Sequence, residues 1–252
     1  YDLFNADTRS STVIGGAGDD RFFFAAKIGA TIDGGDGNDT FAEESTYNSR
    51  WGTYALSGGS GNDAFMLSAG THTVDAGEGD DTISITVLGV DQITLGTGRD
   101  SVTLTGWDNT NALVITDFVT GAAGDRIDIT AVLNNNLIGW DGDANPFGDA
   151  GFLRLVQDGA NTLLQVDRDG AAGGAQNFAT LVTFQNTIAA NFVRGNILPP
   201  YPIGGGALGE TVVGGPGDDP LNGTDDADTL IGNEGDDDLD GGDGEDILLG
   251  GD

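Results

Sequence analysis

The 252-residue chain holds 44 Gly and 41 Asp or Glu against nine Lys or Arg, one His and no Cys, for a formal net charge of −32. Without cysteine there is no disulfide scaffold and no Cys-ligated zinc or iron–sulfur centre, and one histidine excludes a His-rich centre of the HExxH kind. A polyanion cannot neutralise phosphates, which excludes unaided nucleic-acid binding, and no apolar run approaches the ~20 residues a helix needs to span a bilayer.

Tyr1 stands where an initiating Met would, so the chain reads as an excised or processed piece of a longer protein. Its glycines and aspartates recur at fixed intervals, which makes repeats the organising signal. The first block comprises GGAGDDRFF from Gly15, GGDGNDTFA from Gly34, GGSGNDAFM from Gly58, AGEGDDTIS from Ala76 and LGTGRDSVT from Leu95. Position six is Asp20, Asp39, Asp63, Asp81 and Asp100, spaced 19, 24, 18 and 19 residues apart. Position eight is apolar: Phe22, Phe41, Phe65, Ile83 and Val102. Two residues before each motif lies a second apolar residue, Val13, Ile32, Leu56, Val74 or Ile93. The spacing predicts coils of two short strands joined by one Gly/Asp turn and one plainer turn. The longest spacing marks an insertion around Tyr47 to Trp51, on the plainer side. His72, between Thr71 and Thr73, reads as an exposed strand residue.

From Asn111 to Leu198 the pattern changes to short alternating runs: LVITDF (113–118), DRIDIT (125–130), FLRLVQ (152–157), TLLQVD (162–167) and ATLVTF (179–184). The third and fourth, joined by DGAN, predict a hairpin in a compact all-β insert. PPYPIGGG (199–206) reads as a linker, stiff at its prolines and free at its glycines. From Gly214 the repeat returns with a nine-residue register: GGPGDDPLN, GTDDADTLI, GNEGDDDLD, GGDGEDILL and a final GGD, cut inside a repeat, which favours continuation in the intact protein. Position six is Asp219, Asp228, Asp237 and Asp246, and position eight is Leu221, Leu230, Leu239 and Leu248. The divisions expected are 1–110, a parallel roll; 111–198, a cap or insert; 199–211, a linker; and 212–252, a second, truncated roll.

Glycine permits positive φ, so turn carbonyls can point inward together, and a position-six aspartate adds an anionic oxygen. An oxygen-only set selects a hard cation, and a flexible cage of several carbonyls suits Ca²⁺ better than Mg²⁺. One turn offers too few ligands, so stacked turns must share each ion, which places the ions between successive turns on one edge. Five N-terminal motifs leave about four gaps and the C-terminal block two or three. With two substantial side chains buried per coil the core is thin, and self-repulsion opposes compaction, so the domain is expected to fold with Ca²⁺ and unfold without it.

The nonapeptides resemble the GGxGxDxUx repeats of the RTX (repeats-in-toxin) family over residues 13–105 and 212–252, which implies an all-β fold built on the parallel β-roll. By that resemblance Ca²⁺ is held by Asp20, Asp39, Asp63, Asp81, Asp100, Asp219, Asp228, Asp237 and Asp246. The backbone carbonyls implied are those of Gly16, Gly18, Gly35, Gly37, Gly59, Gly61, Gly77, Gly79, Gly215, Gly217, Gly232, Gly235, Gly242 and Gly244. Ala76 and Leu95 depart from the pattern at position one, and Thr224 and Asp226 stand where glycine is usual at positions two and four of the second C-terminal repeat. VITDFVTGAAGDRIDIT (114–130), with LLQVDRDG and TLVTFQNT, is similar to the β-sandwich-like domain that caps β-rolls in type I secretion substrates and serralysin-like proteases. That implies export through a type I apparatus and folding outside the cell. Asp219-Pro220 resembles the bond cut in some self-processing RTX modules.

Other motifs read more plainly. DGDANPFGD (141–149) starts like an EF-hand loop, but Pro146 and Phe152 stand where Gly and Glu are needed, so it reads as an Asx-rich turn. Asp167 and Asp169 before Gly170 likewise read as a turn, and Trp51, Trp107 and Trp140 as packing residues rather than a sugar platform. No GxSxG elbow, P-loop or glycosidase carboxylate pair occurs. The segment therefore reads as non-enzymatic: a secreted, calcium-binding structural element of a surface layer, stalk or adhesin, with lateral self-assembly or surface polysaccharide as possible partners. The alternative is the C-terminal secretion and folding region of an exported protease, lipase or polysaccharide-modifying enzyme. Direct sugar or ice binding would need a regular Thr or aromatic row, which the plainer half-coils lack beyond two turns.

Overall fold

The computed structural model describes residues 3–6, 11–24, 29–43, 52–68, 70–86, 89, 91–107, 110–142, 144–148, 150–171, 173–201, 203, 211–223, 228–242 and 246–251. The insertion at Tyr47–Trp51, most of the linker, Asp143, Thr224, Asp226 and Gly244 lie outside the described residues.

Up to Leu104 the strands are β1 (Leu3–Ala6), β2 (Ser11–Ala17), β3 (Arg21–Phe24), β4 (Ala30–Asp36), β5 (Thr40–Glu43), β6 (Thr53–Ser60), β7 (Ala64–Leu67), β8 (Thr71–Glu78), β9 (Thr82–Ile85), β10 (Gln92–Thr94) and β11 (Ser101–Leu104). Odd strands form one parallel sheet and even strands another, each strand pairing with its counterpart one coil away. This is the coil geometry the double-period spacing predicts, and the fold is a parallel β-roll.

Side chains alternate across a strand, so an apolar residue at position eight faces the interior. In register, Phe22, Phe41, Phe65, Ile83 and Val102 form one internal column and Val13, Ile32, Leu56, Val74 and Ile93 the other. The three phenylalanines stack at centroid separations of 4.9 and 4.5 Å. The core is thicker than expected. Each odd strand runs on to position ten, which the same alternation turns inward, so Phe24, Leu67, Ile85 and Leu104 are buried as well. The coil through β6 and β7 buries Tyr54, Leu56, Phe65 and Leu67, four large side chains rather than two. On the outer face the registered row Thr12, Thr31, Ala55, Thr73, Gln92 loses its threonine pattern after two coils, as expected.

Turn glycines are required by stacking as well as by φ. Gly16 and Gly35 occupy position two at φ +112° and +104°. A Cβ on Gly16 would meet nothing within 4 Å, whereas one on Gly35 would stand 2.0 Å from the Gly16 carbonyl oxygen of the coil before. G16A should therefore show only the backbone strain of about 1–3 kcal/mol. G35A should be markedly worse, with a melting temperature lower by several degrees more. Equal melting temperatures for the two variants would refute the stacking argument.

Residues beyond 111 extend the same two sheets. β12 (Leu113–Ile115) pairs with β10, and β13 (Arg126–Asp128) with β11. After helix α1 (Thr130–Asn136), β14 (Leu153–Asp158) and β15 (Asn161–Val166) form the expected hairpin, with Gly159 at φ +59° in its turn. β16 (Ala179–Phe184) joins β15 antiparallel to β12 parallel, and β17 (Ile197–Leu198) pairs with β13. The helix departs from the all-strand reading of 125–130. The Asp128 carboxylate accepts the Thr130 amide at 2.8 Å, ending the strand, and Val132 and Leu133 are buried. Phe118, Phe184 and Phe192 pack together here, with centroids 4.7–5.5 Å apart.

In the second block β18 (Thr211–Val213), β20 (Thr229–Ile231) and β22 (Ile247–Leu249) form one parallel sheet, and β19 (Pro220–Asn222) and β21 (Asp238–Asp240) another. Successive nonapeptides thus alternate between sheets, two per coil. Among the described residues no helix is long and apolar enough to cross a membrane.

Candidate metal centre

The turn between each even strand and the following odd strand carries the position-six aspartate. Asp20, Asp39, Asp63, Asp81 and Asp100 are all at most 2% exposed. They form a ladder: the amide of each donates to Oδ1 of the next at 2.7–3.0 Å, from Asp20 to Asp39, Asp63, Asp81, Asp100 and finally Asp125. The other carboxylate oxygen of Asp39, Asp63, Asp81 and Asp100 is buried without a hydrogen-bond donor. Burial, reinforced by neighbouring aspartate charge, pushes Asp63 and Asp81 up to about 6 and Asp100 to about 7, and raises Asp39 and Asp125. Leaving such oxygens unmet is costly.

These oxygens border a cradle that only glycine leaves open. Asp39 Oδ2 and the Gly58 carbonyl oxygen lie 2.1 and 2.7 Å from where a Gly34 Cβ would stand, and Asp63 Oδ2 and the Ala76 carbonyl oxygen each lie 2.2 Å from that of Gly58. Gly15 faces Asp20 Oδ2 and the Gly34 oxygen in the same way. Two oxygens without an intervening donor are the surroundings a cation neutralises. Ala76 and Leu95, both fully buried, place side chains at position one in the turns of Asp81 and Asp100.

The second block repeats the arrangement. The Asp219 amide donates to Asp237 and the Asp228 amide to Asp246, at 3.0 and 2.8 Å. A Cβ on Gly232 would stand 2.2 and 2.4 Å from Asp237 Oδ2 and the Gly250 oxygen, and one on Gly241 2.2 Å from Asp246 Oδ2. Here the single-edge expectation is corrected. Because every nonapeptide carries an aspartate, the ladders occupy both edges, Asp219–Asp237 on one and Asp228–Asp246 on the other. Among the described residues no group of three or more His, Asp or Glu side chains is placed to hold a metal ion by itself. A cation would therefore take main-chain carbonyls with its carboxylates, as the glycine-rich turns supply. The position-two and position-four glycines expected to offer them, Gly16, Gly18, Gly35, Gly37, Gly59, Gly61, Gly77 and Gly79, all have positive φ.

Two features escaped the sequence reading. Asp125 is a sixth rung, and its signal was present: TGAAGDRID keeps Gly at position two, Asp at six and Ile127 at eight. The second is His72, which is not exposed but fully buried. Its Nδ1 lies 2.7 Å from Asp91 Oδ1 and its Nε2 3.3 Å from Glu43 Oε2, while its ring stacks on Tyr54 at 5.4 Å. Glu43 Oε2 also accepts the Ser68 amide and hydroxyl at 2.6 and 2.9 Å. Burial alone would lower the His72 pKa; the Asp91 and Glu43 contacts outweigh it and raise the value to about 9. Burial would raise Glu43, but His72 and Ser68 hold it below its ordinary value.

The remaining candidates are structural. The Asp141 and Asn145 carboxylate and amide oxygens accept amides three and two residues ahead, as Asx turns do. Asp169 accepts the amides of Ala175 and Gln176. The Trp107 and Trp140 indoles donate to the Asn111 and Ala144 carbonyls, which suits packing residues.

The model of the RTX calcium-binding nonapeptide repeat (4 copies) matches residues 2–26, 31–42, 57–84, 204–235 and 213–248. No curated protein matches the chain. Among solved structures, the AlgE6R3 subunit from the Azotobacter vinelandii mannuronan C5-epimerase is similar at 20% identity, covering 73% of this chain and 80% of that one, with a TM-score of 0.27.

Proposed function

By its nonapeptides the chain belongs to the RTX calcium-binding repeat family, and from that premise we propose that it is a non-catalytic, calcium-clamped structural element that folds outside the cell. The observation that carries the reading is the ladder of buried position-six carboxylates, in which Asp39, Asp63, Asp81 and Asp100 each keep an oxygen that no protein donor meets. The position-six aspartates with turn carbonyls would hold the ions, and the cradle beside Gly15, Gly34 and Gly58 fits an oxygen-only site for a hard cation. Bound Ca²⁺ supplies the positive charge that offsets facing oxygens on neighbouring coils. The protein's share is to hold those oxygens in register, through the amide-to-carboxylate rungs and the stacked phenylalanines.

Where cytosolic calcium is low such a chain stays extended, and where calcium is millimolar it closes. That suits passage through a type I apparatus before folding, and the repeat family is typical of secreted proteins. Residues 111–198 would serve as the cap of the first roll, a role supported by both sheets reaching their far edge there. Surface-layer, stalk or adhesin duty suits stacked coils whose described outer row, Thr12 to Gln92, is free to vary.

A calcium titration of the full chain followed by circular dichroism tests the sites. D39A/D63A should raise the calcium midpoint at least about tenfold, equivalent to about 1.4 kcal/mol, and flatten the transition. A double variant that titrates like the parent would remove these aspartates from the binding set.

A further inference from the structure

The last turn of the ladder, Thr120–Asp125, differs from the others in how its oxygens are met. Both oxygens of Asp125 are taken: Oδ1 accepts the Asp100 amide at 3.0 Å and Oδ2 the Val119 amide at 2.8 Å. Its carbonyls are met by two side chains. Arg99, at position five of the preceding turn, directs its guanidinium to the Ala122 and Gly124 oxygens at 3.1 and 3.3 Å. From the far side Asn196, fully buried, donates to the Gly121 and Asp125 oxygens at 3.1 and 2.8 Å and accepts the Gly121 amide at 3.0 Å. Elsewhere position five is Asp19, Asn38, Asn62 or Asp80, whose side-chain oxygen accepts the next coil's backbone amide. Arg99 is the one cation in that column, and it stands where the column ends.

We propose that the gap between turns 95–100 and 120–125 takes no metal ion, because Arg99 and Asn196 occupy the carbonyls of its far turn and the buried Leu95 stands at position one beside Asp100, where the first three turns keep glycine. Arg99 provides the positive charge and Asn196 the donors that an ion would otherwise stand in for. The guanidinium is always charged and its fork reaches two carbonyls at once. The ion row of the first roll therefore ends at Asp100. The inference rests on the calcium reading above and adds its boundary.

The test is an ion count by native mass spectrometry on the full chain, at calcium that just saturates the wild type. D63N should lose at least one ion. D125N should carry the wild-type number. R99Q should also keep the number, but raise the calcium midpoint for folding by about threefold or more, since a charge-assisted contact is lost. An ion lost from D125N as from D63N, or an R99Q midpoint identical to wild type, overturns the proposal. A wild type that takes up no calcium would instead sink the underlying calcium reading.

Discussion

Withdrawing calcium with EGTA is expected to abolish most of the β-sheet circular dichroism signal, and restoring calcium to recover it. The buried column explains why a core of two to four large apolar side chains per coil is still insufficient. Neighbouring strands in a sheet lie about 4.8 Å apart, and at an effective dielectric near 20 two unit charges at that distance repel by about 3 kcal/mol. Asp20, Asp39, Asp63, Asp81 and Asp100 make four such neighbouring pairs in one line. Burial together with that repulsion raises Asp39, Asp63, Asp81 and Asp100 above the usual carboxylate range, so without a cation the ladder either carries uncompensated buried charge or takes up protons. With a net charge of −32, little elsewhere in the chain offsets it. An ordered sheet signal that persists in EGTA at neutral pH would contradict this account.

Replacing His72 is expected to have the second largest effect. H72A leaves Glu43 and Asp91 buried without their cation, and breaking a buried pair in this way costs about 3–5 kcal/mol. In a chain of this size that should lower the melting temperature, measured in calcium, by roughly 10 °C. E43L/H72F/D91N removes the buried charges together and should recover most of the loss, because apolar replacements of similar volume are tolerated where a lone charge is not. The pH dependence has a definite sign. His72 titrates higher folded, at about 9, than its ordinary 6.5, so its contribution is complete below about 6.5 and is lost as pH rises through 9. Glu43 titrates lower folded than unfolded, so its contribution is present above 4.5 and is lost as acid protonates it. The melting temperature should therefore fall between pH 7 and 10, and the triple variant should lose that slope. A parent protein as stable at pH 10 as at pH 7 would rule the triad out as a charged cluster.

Much of this architecture was legible in the sequence because it is periodic. Position eight could be read as an interior column because Phe22, Phe41 and Phe65 recur beside an invariant aspartate, and alternation leaves such residues one place to go. What escaped detection involves partners a coil apart. Nothing local to His72 reveals Glu43 or Asp91. The visible clue was Glu43 itself, a carboxylate at position ten where Phe24, Leu67, Ile85 and Leu104 are apolar. Asp125 was hidden by a 25-residue step from Asp100 and by alanines at positions three and four, which weaken the motif without moving its aspartate. Helix α1 was missed because an alternating run ends within it, and a single side chain, Asp128, redirects the backbone.

Each coil is fastened to the next by its own strand pairings and by two side-chain rungs on the ladder edge, one from position five and one from position six. A tensile load applied to the chain would therefore meet these fastenings in series, and the rod would surrender contour in quanta. A coil of 18 to 24 residues releases roughly 60–85 Å when it lets go. Such a stack would yield stepwise and re-form stepwise, and calcium held between its turns would set the force of each step.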